Sequence, residues 1–152
     1  MGKLLDTVAE FLIDDKWVFD KVEGRDIIKT GVRVKNASYR MFIDCVEVRQ
    51  QVMLYVLSPD VVAPEKRLFA AEFLTRANYG LRFGNFELDM DDGEVRFKVS
   101  VDVEGSLLST QMVRNMVAMA VLTMDRYYPG LKAVCLTDTT PKSAAEDIDK
   151  KQ

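Results

Sequence analysis

Apolar residues near the N-terminus recur at Leu4, Leu5, Val8, Phe11 and Leu12, with Asp6, Glu10 and Asp14 toward the other side. That period predicts a one-faced amphipathic helix over about residues 3–15. Trp17-Val18-Phe19 then reads as an extended or irregular link, turned at Gly24. The period next drops to two. Ile28, Thr30, Val32 and Val34 alternate with Lys29, Gly31, Arg33 and Lys35, which predicts a strand with one apolar face. A turn at Asn36-Ala37-Ser38 leads into Tyr39, Met41, Ile43 and Cys45, alternating with Arg40 and Asp44. A third strand, Val52 to Leu57, is apolar on both faces and suits a central strand covered twice, or one lying near an interface.

Pro59 and Pro64 bracket a loop. Pro64 suits a first helical turn and Gly80 the residue beyond a helix end, with Phe69, Phe73 and Ala77 as a stripe between them. Glu72 and Arg76 are spaced to pair on the solvent side. In "FELDMDDGEVRFKV" the Asp92-Gly93 step predicts a hairpin with a two-residue turn. That register sets Met90 opposite Val95, Leu88 opposite Phe97 and Phe86 opposite Val99. On the other face it sets Asp89 against Arg96 and Glu87 against Lys98.

A last helix is expected from a cap at Ser106 or Ser109 to a stop at Pro129-Gly130. It contains the unbroken apolar run Met116 to Leu122. Projected at about 100° per residue, the run and its neighbours cover an arc roughly 200° wide, where packing on one sheet needs little over about 100°. Met112 and Met119 extend one edge of this arc, and Leu122 sits among polar residues opposite. Either another element covers the excess or a second chain does. After Thr137 the chain has little apolar content and no period, so residues 137–152 are expected to be a disordered tail beyond a single domain at 1–136.

Composition narrows the chemistry. With 152 residues, 48% of them hydrophobic and 30% charged, the chain is long enough for one well-buried core. It holds no histidine, which removes the commonest general base and metal ligand together. Cys45 and Cys135 lie far apart and read as buried thiols in a reducing compartment. A net charge of −3 and scattered Lys and Arg argue against a nucleic acid partner. The acidic string Asp89 to Glu94 fails as a calcium loop, because Leu88 and Met90 fall where oxygen ligands are needed. "YGLRFGNF" follows a helix and opens a strand, the reverse of a phosphate-cradling loop; Gly84 reads instead as a bulge or close backbone approach. Ser106 and Ser109 have no histidine partner. The N-terminus lacks a secretory pattern, Asp6 stands where a myristoylation signal wants Ser or Thr, and no stretch reaches membrane-span length. These readings predict a cytoplasmic protein without catalytic residues, cofactor or metal.

The residues "FLTRANYGLRFGNFELDMDDGEVRFKVSVDVEG", with "LTMDRYYPGL" downstream, resemble the YbjN-like domain family, closest to the versions carried by cyanobacteria. The likeness spans roughly residues 4–134 and is sharpest from Asn78 to Gly105. It implies an α+β fold of α-β-β-β-α-β-β-α order, an antiparallel sheet with helices packed mainly on one side, similar to type III secretion chaperones. That order matches the one read from periodicity and turns. The resemblance implies pairing as a dimer and the holding of extended client segments, with no catalytic residue to carry over.

The function expected is a non-enzymatic protein-binding domain, chaperone-like or adaptor-like. Its partner would be a protein client or a second copy, met at Met112, Met119 and Leu122. A regulatory domain binding a small ligand between sheet and helices is the alternative, and an unrecognised enzyme the third.

Overall fold

The computed structural model describes residues 2–150. Helix α1 (Lys3–Asp14) comes first, followed by strands β1 (Phe19–Lys21), β2 (Ile27–Arg33), β3 (Ser38–Val46) and β4 (Gln51–Leu57). Helix α2 (Arg67–Asn78), strands β5 (Asn85–Leu88) and β6 (Val95–Asp102), and helices α3 (Thr110–Leu136) and α4 (Pro141–Lys150) complete the chain. The strands form one antiparallel sheet in the order β1-β2-β3-β4-β6-β5. The expected α+β class and antiparallel sheet are found. Two elements are added to the expected order, β1 in place of an irregular link and α4 in place of a tail.

The alternation of the strands sorts their residues as predicted. Ile28, Tyr39, Met41, Ile43, Cys45, Val52, Leu54, Val56, Phe97 and Val99 are buried under the helices. Strand β4 is central, but its second face is only half covered. Met53 and Tyr55 are part-exposed there, with the Arg96 guanidinium 4.3 Å from the centre of the Tyr55 ring. Helix α1 buries its one apolar face, and its first backbone N–H groups are taken by a distant side chain. Glu47 accepts from Leu4 at 3.2 Å and from Leu5 at 3.0 Å.

The β5–β6 hairpin exists, but its register differs by two residues from the expected one. Leu88 faces Val95, Glu87 faces Arg96, Phe86 faces Phe97 and Asn85 faces Lys98. The N–H of Asp89 donates to the Glu94 carbonyl at 2.9 Å and that of Gly93 to the Asp89 carbonyl at 2.8 Å, so the turn spans 90–93 rather than Asp92-Gly93 alone. Side chains stabilise this wider turn locally: Asp89 accepts from the Asp91 N–H and Asp92 from the Glu94 N–H, each at 2.8 Å. Arg67 holds it from outside through the carbonyls of Met90 and Asp91. Gly93, at φ +83°, is pressed against the Val62 carbonyl, where a Cβ would come within 2.2 Å. Because the shift is even, the residues of the two strands keep their faces, but Met90, expected opposite Val95, falls in the turn and is 45% exposed. Glu87 keeps Lys98 at 3.1 Å and gains Arg96 at 2.8 Å, while Asp89 loses the Arg96 expected for it.

Helix α3 does not stop at Pro129-Gly130. It starts at a cap by Ser109, whose Oγ accepts from the Met112 N–H, and runs to Leu136. Proline lacks the N–H that would bond the Asp125 carbonyl four residues back. Asn36, on the β2–β3 turn, supplies that bond through Nδ2 at 2.8 Å. At Gly130 the missing side chain admits two neighbours, since a Cβ would lie 2.7 Å from Ile148 Cδ1 and 2.8 Å from Phe73 Cζ.

The expected disorder after Thr137 is corrected over 141–150, which form α4; Lys151 and Gln152 lie outside the described residues. Thr140 caps this helix by accepting from the Ser143 N–H at 3.1 Å, and Pro141 takes the first helical position. Its stripe Pro141, Ala144, Ala145 and Ile148 is buried, packed on α2 and α3. Small residues bring helices close without raising mean hydropathy, which is why composition hides this element.

Candidate protein-binding groove

Most of the wide apolar arc on α3 is core. Val113, Met116, Val117, Ala120, Val121, Met124, Tyr127, Tyr128, Leu131 and Val134 are buried, the last two in the half of the helix that α4 covers. The excess lies at the N-terminal half. Met112 is half-buried, and Met119 is 41% exposed. Both line a groove with Asn115 and Met116 on one wall and Val99, Ser100 and Val101 of β6 on the other. Phe83, 62% exposed, also lines it. Leu122 is 64% exposed, one turn beyond Met119, and is not among the groove's lining residues. The structure thus brings two of the three expected residues to one site and sets the third beside it.

The β6 wall has a particular hydrogen-bonding character. In an antiparallel ladder the backbone groups of successive residues point to opposite sides. The Asp89–Glu94 bond fixes this alternation, so Arg96, Lys98, Ser100 and Asp102 present their N–H and C=O groups to the outer side. Strand β5 meets Arg96 and Lys98 there and ends at Asn85, because the chain turns at Gly84, at φ +71°. Gly84 fits so near β6 that a Cβ would come within 2.6 Å of the Lys98 carbonyl. Among the described residues no strand pairs with β6 beyond Lys98 on that side. Ser100 and Asp102 are exposed. By contrast, the outer edge of β5 is occupied at Phe86, whose N–H and C=O both bond the Asn78 side-chain amide, at 2.6 and 3.1 Å.

A second cluster is buried and polar. Asp125 Oδ1 accepts from the Asn36 N–H and the Tyr39 hydroxyl, each at 2.9 Å. The Tyr39 and Tyr128 rings meet edge-on with centres 5.8 Å apart, and Tyr128 donates to Asp60 at 2.6 Å. Burial, then the bond to Asp125, raises the Tyr39 phenol far above its usual range; burial and Asp60 push Tyr128 up to about 12. Both phenols therefore stay protonated donors, and the cluster joins α3 to the sheet. Asn36 is committed to this joint through both its backbone and its side chain. Burial, then the carboxylates of Glu47, Asp44 and Asp26, push Cys45 up to about 12, so its thiol is a poor nucleophile. Among the described residues no three His, Cys, Asp or Glu side chains form a metal-binding group, and no helix is long and apolar enough to cross a membrane.

Residues 4–133 match the YbjN family model, described as "Putative bacterial sensory transduction regulator". The chain belongs to the YbjN family. The crystal structure of YbjN from E. coli matches this family member with a TM-score of 0.61 at 17% identity, covering 82% of this chain and 91% of that one. A chain of the HopA1–SchA chaperone–effector complex matches with 0.54 at 18%, over 80% and 91%. A chain of the ExsC–ExsE complex matches with 0.55 at 14%, over 85% and 96%. At these identities the likeness speaks to the fold, which is the chaperone-like α+β fold expected above. No curated protein matches the chain.

Proposed function

We propose that this chain is a non-enzymatic protein-binding domain, chaperone-like or adaptor-like, that takes apolar side chains of a partner into the groove between α3 and β6. The observation that carries this reading is the Met112, Met119 and Phe83 lining, left part-exposed beside a strand edge. Methionine side chains are flexible and polarisable, so one groove accepts varied apolar side chains. The fold shared with chains of two protein–protein complexes supports the same reading. Leu122 extends the patch along α3. Self-association through this surface, a cytoplasmic setting and the cyanobacterial type of the family belong to the same proposal. The last of these is carried by the Asn78–Gly105 block.

A displayed library of random linear peptides, panned against the full chain, tests the reading. Peptides selected by the wild type are expected to lose affinity at least tenfold for Met119→Glu, with the melting temperature unchanged. Selected peptides that bind this variant and Met112→Asp as well as the wild type would sink it. Light scattering over a range of concentrations tests self-association, and Leu122→Glu is expected to weaken any dimer. A thermal-shift screen against metabolites tests the small-ligand alternative, in which a ligand of the folded state raises the melting temperature.

A further inference from the structure

The groove is bounded by a free strand edge as well as by apolar side chains, and the two features require different things of a partner. An apolar pocket accepts any greasy group. Outward N–H and C=O groups at Ser100 and Asp102 are matched in full only by another backbone in extended form. Building on the protein-binding reading, we infer that the partner is an extended peptide segment that adds to β6 as a strand, collinear with β5 and antiparallel to β6. It would pair with Ser100 and Asp102 and point every second side chain at Met112, Met116 and Met119.

Three observations select this occupant. The first is that β5 already runs antiparallel on the same side of β6 and stops at Asn85, so an added strand continues an existing ladder. The second is that the other candidate edge nearby is closed, since the Asn78 amide takes both backbone groups of Phe86. The third is charge. The far end of the free stretch carries the exposed carboxylates of Asp102 and Glu104 against the single guanidinium of Arg49, while Arg82 stands exposed just before Phe83 at the β5 end. A strand antiparallel to β6 starts beside Asp102 and finishes near Arg82. Its preferred charge order is therefore basic at the N-terminal end and acidic at the C-terminal end. As an added strand, β6 of a second copy fits less well, because a two-fold β6–β6 pair would share only the short free stretches, with β5 of each copy limiting the overlap; this leaves self-association through the apolar side chains untouched.

The test uses the full chain and synthetic decapeptides of alternating Val and Thr with two lysines at the N-terminal end and two glutamates at the C-terminal end. Affinity is measured by calorimetry, and amide protection at Ser100 and Asp102 by hydrogen exchange. We expect binding that slows exchange at both amides and falls at least tenfold when the peptide's pairing amides are N-methylated. Ser100→Pro should cause a similar loss, because the N–H it removes faces the free edge and proline is tolerated on edges. Reversing the peptide's charge order should weaken binding several-fold. If the N-methylated peptide binds equally well while Met119→Glu abolishes binding, strand addition is overturned and the groove reading survives. No binding of the unmodified peptide at millimolar concentration also overturns strand addition, and the library experiment then decides the groove reading separately.

Discussion

Asn36 donates its side-chain amide to the carbonyl oxygen of Asp125 at 2.8 Å, the oxygen that Pro129 leaves without a helical donor. Residues 89 positions apart in the chain thereby compensate a proline in the interior of α3, a defect of about 3 kcal/mol when left alone. Asn36→Ala removes this bond and the Nδ2 donor to the buried carboxylate, while the backbone N–H at position 36 still donates to Asp125 Oδ1. Urea unfolding should show a loss of about 1–3 kcal/mol. In a Pro129→Ala background the new N–H takes over the carbonyl, so the same substitution should be measurably less damaging. Equal losses in both backgrounds would show that the carbonyl bond contributes nothing.

Stability should fall at alkaline pH. An unfolded tyrosine ionises near about 10, while folded Tyr128 is held up to about 12, first by burial and then by Asp60, and Tyr39 is raised in the same direction. A raised folded value means the contribution is complete below the unfolded value and is lost as pH climbs from there through the folded one. Urea midpoints should therefore hold steady to about pH 9 and drop between about pH 10 and 12. Tyr128→Phe should shrink that drop; an unchanged slope would place its cause elsewhere.

Glu47→Ala should destabilise the protein by about 1 kcal/mol, since the first N–H groups of α1 lose their remote acceptor. Gly2→Ala should act through the same pair. A Cβ on Gly2 would come within 1.9 Å of Glu47 Cδ, displacing the carboxylate. The two substitutions together should lose less than the sum of their separate losses, which a double-mutant cycle by thermal unfolding reads directly.

At the α4 contact, Ile148→Ala should destabilise by about 2–4 kcal/mol. Gly130→Ala should destabilise by about 1–3 kcal/mol, by forcing Ile148 and Phe73 apart. If both variants melt like the wild type, α4 contributes no stability through this contact.

Leu122→Glu and Met119→Glu should shift stability by less than about 0.5 kcal/mol, as surface substitutions do. Differential scanning calorimetry checks this, and a large loss would assign both residues to the core.

What was legible in the sequence was local. The period of α1, the alternation of β2 and β3, and the cap at Ser109 each depend on residues a few positions apart, and each is found. The β5–β6 register misled because a shift of two leaves Phe86, Leu88, Val95 and Phe97 on the same face, so alternation cannot detect it. Arg67, which holds the wider turn, lies outside the hairpin. Pro129-Gly130 looked like a stop because Asn36 and Ile148, which make both residues acceptable in α3, are distant in sequence. The spacing of Pro141, Ala144, Ala145 and Ile148 was readable as a helix stripe, but small side chains kept it below notice. For the candidate groove, the arc on α3 pointed to Met112 and Met119. It gave no sign of the free edge at Ser100, which exists because β5 reaches only to Asn85.

Helix α2 grips the hairpin at both ends, with Arg67 on the turn carbonyls and Asn78 on Phe86. Strand β5, which an added strand would continue, is thus anchored at both ends, and the loss of freedom on association would fall on the incoming segment. Affinity should then follow the stiffness of that segment. A cyclised or otherwise pre-extended peptide gains over its flexible counterpart without a single new contact.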